Sequence, residues 1–228
     1  MNFDEISLVV PYIERAFLTG IDLNANQPAE PRAFKAHLSW NEIPKGGRYI
    51  VSIRNPEDVA VSLFYFLEGH TFERGSISFT AFVRGAVIAT NRYWSHLASW
   101  LEHQNDPSVL LLSFERMIGG LSSTVESISA FLGFDPDPEL LSIVTEQASF
   151  AFMRKNHEKF DDRTTTELVD RYCELPQSDY VGKIRAGPQR SVTGRVTDDM
   201  RSELHDIWTR EIYSRFGFPD YQSLIDAL

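Results

Sequence analysis

The stretch Arg48-Tyr-Ile-Val-Ser-Ile-Arg-Asn-Pro-Glu-Asp-Val-Ala-Val-Ser-Leu-Phe-Tyr-Phe-Leu67 constrains the fold more than any other part of the chain. Tyr49 to Ile53 is a short β-branched and aromatic run after Gly46-Gly47, which predicts a buried strand. The residues that end the strand also start a helix. Asn55 can cap it, Pro56 fits the first turn because its missing N–H would have no partner there, and Glu57 and Asp58 suit the positive end of the helix dipole. Val59 through Leu67 then continues as a mostly apolar helix. Arg54 is thereby placed at the carboxyl end of a strand, where open α/β sheets bind their ligands, beside helix N–H groups suited to an anion. The competing reading pairs Arg54 with Glu57 or Asp58 in a structural ion pair.

The rest of the sequence narrows the class. With 228 residues, 43% of them hydrophobic and 12% aromatic, the chain can bury one sizeable core, and a single domain over residues 1–228 is expected. No run of about 18 apolar residues occurs and the N-terminus has no basic start, so no membrane span or signal peptide is expected and a cytoplasmic location follows. A formal charge of −10 argues against a nucleic-acid surface. An anionic ligand must therefore be met by a local basic cluster. The one cysteine, Cys173, excludes an intrachain disulfide and reads as a structural thiol. His96 and His103 have no carboxylate or cysteine partner at ligand spacing, so no metal is expected.

Along the chain, Arg32-Ala-Phe-Lys-Ala-His-Leu38 predicts a short strand with Lys35 and His37 on one face, since side chains two apart point the same way. A histidine at a strand end is more often structural than catalytic. Ser76 to Gln104 predicts one long helical region. Its Trp94, His96 and Trp100 could line an acceptor pocket, but a stripe at three-to-four spacing is first a core face. Val109 to Met117 predicts a second buried strand, turned by Gly119-Gly120 into an amphipathic helix from Leu121 to Leu132, and Pro136 and Pro138 introduce another helix. Residues 157–182 are polar and predict a loop or lid. Lys183-Ile-Arg-Ala-Gly-Pro-Gln-Arg-Ser-Val-Thr-Gly-Arg195 is a basic, glycine-bearing cluster in an acidic protein, either a solvated loop or an anion-binding one. Asp198 to Phe216 predicts a closing helix with Trp208, Ile212 and Phe216 inward. The alternation of strand and helix signals makes the chain α/β, with Ala33–His37, Tyr49–Ile53 and Leu110–Phe114 in one parallel sheet flanked by helices.

Ile-Arg-Asn-Pro-Glu-Asp-Val-Ala-Val-Ser resembles the segment by which sulfotransferases that use PAPS (3′-phosphoadenosine 5′-phosphosulfate) hold the 3′-phosphate, with Arg54 and Ser62 in the phosphate-binding positions. Phe-Lys-Ala-His-Leu is similar to the family's Lys-Thr-His-Leu-Pro motif, which makes His37 the catalytic base and Lys35 its cationic companion, with Ala36 and Ser39 in place of Thr and Pro. Phe114 stands where the family often has a Tyr near the cofactor's base. Glu146 to Asn156 is similar to the family's Ser-Phe-x-x-Met-Lys-x-Asn segment, which implies cofactor contacts from Ser149, Phe150 and Met153; Ala148 replaces the usual Thr. Arg185, Ala186 and Gly187 match the family's Arg-Lys-Gly cofactor lid with Ala for Lys, and the later Gly-Asp-Trp-Lys element is absent.

The resemblance implies a P-loop-NTPase-like sulfotransferase fold and transfer of a sulfuryl group from PAPS to a hydroxyl or amine of a small-molecule acceptor, without a metal. The family's opening strand and its Tyr-Pro-Lys-Ser-Gly-Thr-Thr-Trp-like phosphate loop have no counterpart in these 228 residues. Such a strand, loop and helix needs on the order of 40 residues. The sequence-based expectation is an N-terminally incomplete domain with impaired transfer by this chain, restored in a longer one. The alternative is a non-catalytic nucleotide-binding or interaction module derived from the same fold.

Overall fold

Two strands lie side by side in parallel in the computed structural model, which describes residues 3–68, 71–161, 163–174 and 195–228. Strand β1, Tyr49–Ile53, pairs with strand β2, Val109–Ser113, in the register Tyr49 to Val109 through Ile53 to Ser113. Helices flank this sheet, so the fold is α/β as expected. By contacts the chain divides into two units. One holds Met1–His37, Phe66–Ser76 and Phe150–Arg190; the other holds Leu38–Tyr65, Ile77–Ser149 and Ser191–Leu228.

The second unit carries the sheet and the larger core. The expected helix after β1 runs Pro56–Glu68, with Glu57 and Asp58 in its first turn and Ala60, Val61 and Phe64 buried. Phe64 meets Phe79 and Phe82 edge-on, each with ring centres 5.3 Å apart. Trp94, Leu97 and Leu101 from the helix Arg92–Leu101 and Met200, Leu204, Ile207 and Trp208 from the helix Asp198–Trp208 complete that core. Full burial of such side chains contributes about 1.5–3 kcal/mol each.

The elements depart from the sequence-based expectations at several points. β1 is not buried on both sides: Val51 and Ile53 are buried, whereas Ile50 is 43% exposed. The second strand stops at Ser113, because the Ser113 hydroxyl accepts the Arg116 N–H and opens the short helix Phe114–Gly119. Leu121–Leu132 follows with the expected bounds, and Asp137 caps the helix Pro138–Gln147 through the Leu140 N–H. The long helix expected from Ser76 to Gln104 is broken near Thr90. A π-helical turn, Val83–Ile88, precedes the break, and Asn91 takes a left-handed conformation (φ 54°) that its short polar side chain tolerates. The closing helix is Asp198–Trp208 with a π-helical turn at Thr209–Tyr213 and a last turn at Ser214–Phe216, where Trp208 and Ile212 are buried and Phe216 is half-buried. A further helix that the sequence reading missed, Tyr221–Ala227, packs Tyr221, Leu224 and Ile225 inward.

The first unit contains the stretch expected as a third strand. Ala33–His37 forms only a single parallel bridge, between Lys35 and Tyr12, with Lys35 N–H donating to Pro11 O and Ile13 N–H to Lys35 O, both at 2.9 Å. Side chains take three other backbone groups of this stretch. Gln27 takes the Ala33 N–H and donates to the Ala33 carbonyl, and the Glu14 carboxylate accepts the His37 N–H at 2.6 Å. Side-chain bonds of this kind compete with a ladder for the same backbone groups. The polar stretch after residue 156 is helical rather than a loop over His157–Phe160 and Arg163–Tyr172. Its support comes from far away in sequence: the buried Glu5 carboxylate accepts both the N–H and the hydroxyl of Thr164. No helix among the described residues is long and apolar enough to cross a membrane.

Candidate functional site

At the carboxyl end of β1 the chain turns through Arg54 and Asn55 into the helix Pro56–Glu68. Asn55 Oδ1 accepts the Glu57 N–H at 2.9 Å, the capping bond its side chain predicts. The Arg54 guanidinium lies over the Phe114 ring, 4.4 Å from its centre, a cation–π contact. The ion-pair alternative is weak in this geometry. Glu57 is engaged by Arg201 at 3.3 Å, and Asp58 approaches Arg54 only to 3.8 Å with both side chains near one-third exposed. Arg54 Nε is buried and has no hydrogen-bond partner among the described residues. The side chain as a whole is 30% exposed, so an anion with several oxygens can reach the guanidinium from its open side, and a phosphate would also give the Nε–H an acceptor once the side chain turned.

Three side chains from other elements hold the backbone of this turn. Tyr93 donates its hydroxyl to the Arg54 carbonyl at 2.6 Å, and the Glu115 carboxylate accepts the Asn55 N–H at 3.1 Å. Tyr221 donates to the other oxygen of Glu115, and its hydroxyl also lies 3.4 Å from the Ile53 carbonyl. Burial pushes both phenols far above their ordinary range, and the Glu115 charge adds to it. Asp58 is likewise raised, first by burial and then by Glu115, with Arg54 acting against them. Glu115, Tyr93 and Tyr221 were not picked out from the sequence. Glu115 carries the only available signal, as the acidic residue of Phe-Glu-Arg-Met right after a strand.

Ser62 is exposed on the helix Pro56–Glu68, one turn beyond Asp58 on the same face. Three residues further, the Tyr65 ring carries the Arg195 guanidinium at 4.9 Å. Phe114, expected near the cofactor's base, is the first residue of its helix and is in contact with Arg54. Ser149 is half-buried just before the helix Phe150–Lys155; on that helix Phe150 is 43% exposed and Met153 half-buried. Arg185, Ala186 and Gly187 lie outside the described residues.

Lys35 and His37 belong to the first unit and share one partner. Tyr12 Oη is hydrogen-bonded to His37 Nδ1, the two rings meet edge-on with centres 5.2 Å apart, and Lys35 Nζ sits 4.6 Å from the Tyr12 ring centre. The two side chains therefore do face the same way, although no strand aligns them. The stripe Trp94, His96 and Trp100 resolves as core. Trp94 and Trp100 are 0% and 4% exposed, and His96 Nε2 accepts the Trp100 indole N–H at 3.1 Å. Burial lowers the His96 pKa, with a backbone hydrogen bond to Leu38 and the charge of Glu42 opposing it.

Comparison with known proteins gives one consistent result. The family model for a sulfotransferase domain matches residues 2–216. The chain is 34% identical over 155 residues to a 3-alpha-hydroxysteroid sulfotransferase of Cavia porcellus, covering 64% of this chain and 53% of that protein. It is 32% identical over 157 residues to an amine sulfotransferase of Oryctolagus cuniculus, covering 64% and 50%. The chain spans about half the length of the curated relatives it matches. Among solved structures, a mouse sulfotransferase complexed with PAP superposes with a TM-score of 0.64 at 21% identity, covering 82% of this chain and 67% of that one. A retinol dehydratase in complex with androsterone and the inactive cofactor PAP gives 0.67 at 19% identity, covering 90% and 64%. At those identities the likeness is one of fold.

Proposed function

Because the chain belongs to the sulfotransferase domain family, we propose that it serves the transfer of a sulfuryl group from PAPS to a hydroxyl or amine of a small-molecule acceptor. The observation that carries this reading is the part-exposed Arg54 at the carboxyl end of β1, whose Nε has no hydrogen-bond partner among the described residues. In this reading Arg54 and Ser62 bind the 3′-phosphate, and Phe114, Ser149, Phe150, Met153 and the Arg185 to Gly187 segment contact the nucleotide. The PAP carried by the two similar structures supports PAPS as co-substrate. The steroid and amine acceptors in the relatives' names support a small molecule with a nucleophilic oxygen or nitrogen. We read the whole as one domain, supported by a family match that runs through both units, and place it in the cytoplasm.

His37 takes the proton of the acceptor as the acceptor's lone pair forms the new bond to sulfur. The bond from sulfur to the bridging phosphate oxygen breaks, its electron pair leaves with PAP, and Lys35 offsets the charge growing on that oxygen. The contact with Tyr12 selects the tautomer. For Nε2 to receive a proton, Nδ1 must carry one and donate it to Tyr12 Oη, which then accepts.

The decisive experiment is calorimetry with adenosine 3′,5′-bisphosphate. Wild type is expected to bind it, and Arg54→Ala to weaken binding by about 1.5–3 kcal/mol, the range for a charge-assisted contact. Equal binding by the two chains would overturn the reading.

A further inference from the structure

We infer that Tyr221 is a positioning residue for the anion site at Arg54, acting through Glu115; the inference rests on the reading of that site as the 3′-phosphate pocket. Tyr221 opens the helix Tyr221–Ala227, which lies beyond the 2–216 stretch matched by the family. Two consecutive residues of the turn are gripped from outside it: Tyr93 donates to the Arg54 carbonyl and Glu115 accepts the Asn55 N–H, while the Tyr221 hydroxyl lies 3.4 Å from the Ile53 carbonyl and donates to Glu115.

The weak member of this arrangement is Glu115, a carboxylate set beside a site meant for another anion. One of its oxygens is occupied by the Asn55 N–H and the other by the Tyr221 hydroxyl. A phenol has a single proton to give, and the nearer, charged acceptor takes it in preference to the Ile53 carbonyl at 3.4 Å. Glu115 follows directly after Phe114, over whose ring the Arg54 guanidinium sits. A Glu115 oxygen released by Tyr221 therefore has Arg54 as its nearest cation, and a second carboxylate on Arg54, added to its long 3.8 Å contact with Asp58, competes with a phosphate. Tyr221 keeps the carboxylate turned to the backbone and the guanidinium open. Its ring is held separately, edge-on to Trp208 with centres 6.2 Å apart, so removal of the hydroxyl alone leaves the packing in place.

The test compares adenosine 3′,5′-bisphosphate with adenosine 5′-monophosphate, which lacks the 3′-phosphate, by calorimetry on the full 228-residue chain. Wild type is expected to prefer the bisphosphate. Tyr221→Phe is expected to lower bisphosphate affinity about tenfold and leave monophosphate affinity unchanged, the loss of one hydrogen bond to a charged group. Glu115→Gln added to Tyr221→Phe is expected to restore the preference, because a neutral amide keeps an acceptor for the Asn55 N–H and does not compete for Arg54. That rescue separates positioning from a loss of stability, which a second substitution in the same contact would deepen. A wild-type chain that binds both nucleotides equally overturns the reading of Arg54 and this inference with it. A wild-type preference that persists in Tyr221→Phe, a loss shared equally by both nucleotides, or a double variant without rescue overturns the inference alone.

Discussion

Arg54 shows how far a single residue can be read from its neighbours. Its place after a β-branched run and before Asn-Pro was enough to put it at the mouth of a strand, and the structure adds that its Nε is buried without a hydrogen-bond partner among the described residues. What the neighbours could not show is that Glu115 and Tyr221, 60 and 168 residues from Asn55 and Ile53, hold the turn. Such a contact leaves no periodic trace in a sequence. His37 shows the converse. A shared face with Lys35 was expected from a spacing of two in a strand, yet no strand forms there, and Tyr12, 25 residues before His37 and invisible as a partner in the sequence, is the group that both side chains meet. In a radiolabelled-sulfate assay, His37→Ala is expected to lower whatever turnover the chain supports by ~10²–10⁴ while leaving affinity for adenosine 3′,5′-bisphosphate unchanged. Tyr12→Phe, which removes the hydroxyl at Nδ1, is expected to give a smaller loss of the same kind. An undiminished rate in His37→Ala would remove it as the base.

At the scale of elements, the segments with strong local signals formed where expected. β1, the helix Pro56–Glu68 and the helix Leu121–Leu132 each carry an apolar pattern or a cap within their own residues. Elements whose support is tertiary were misread. The helix Arg163–Tyr172 is strongly polar, and Glu5 completes its first turn across 159 residues. The helix Arg92–Leu101 supplies a pH test. Burial lowers the His96 pKa in the folded chain, so the unfolded chain binds more protons as pH falls below about 6.5. Its contribution to stability is complete above that pH and is lost as pH falls through the window toward the folded value. Urea unfolding of wild type is therefore expected to weaken from pH 7 to pH 5 more steeply than unfolding of His96→Gln, which keeps an acceptor for the Trp100 indole N–H. Parallel slopes in the two chains would show that His96 does not titrate between the two states.

At the scale of the whole chain, the 5′-phosphosulfate is the part of PAPS for which these 228 residues carry no motif that resembles the family's. No Lys-Ser-Gly-Thr-Thr-like loop occurs in the sequence to cradle a 5′-phosphosulfate, and each lost preorganised donor typically costs ~10²–10³ in rate. With labelled PAPS and a panel of phenols, alcohols and amines, the 228-residue chain is expected to turn over far below the usual enzymatic range of roughly 1–10³ s⁻¹. Turnover within that range would mean that other residues supply the cradle. By itself the sequence determined the α/β class, the strand, turn and helix around Arg54, and the family, because these are written in contiguous residues whose periods and caps act locally. The tertiary structure decided that Ala33–His37 takes one bridge and no ladder, that Trp94 and Trp100 are core, and that Glu115 and Tyr221 meet at the Arg54 turn. Those outcomes depend on which distant side chain reaches a backbone group or a cavity first, and that competition is settled only when the chain has folded.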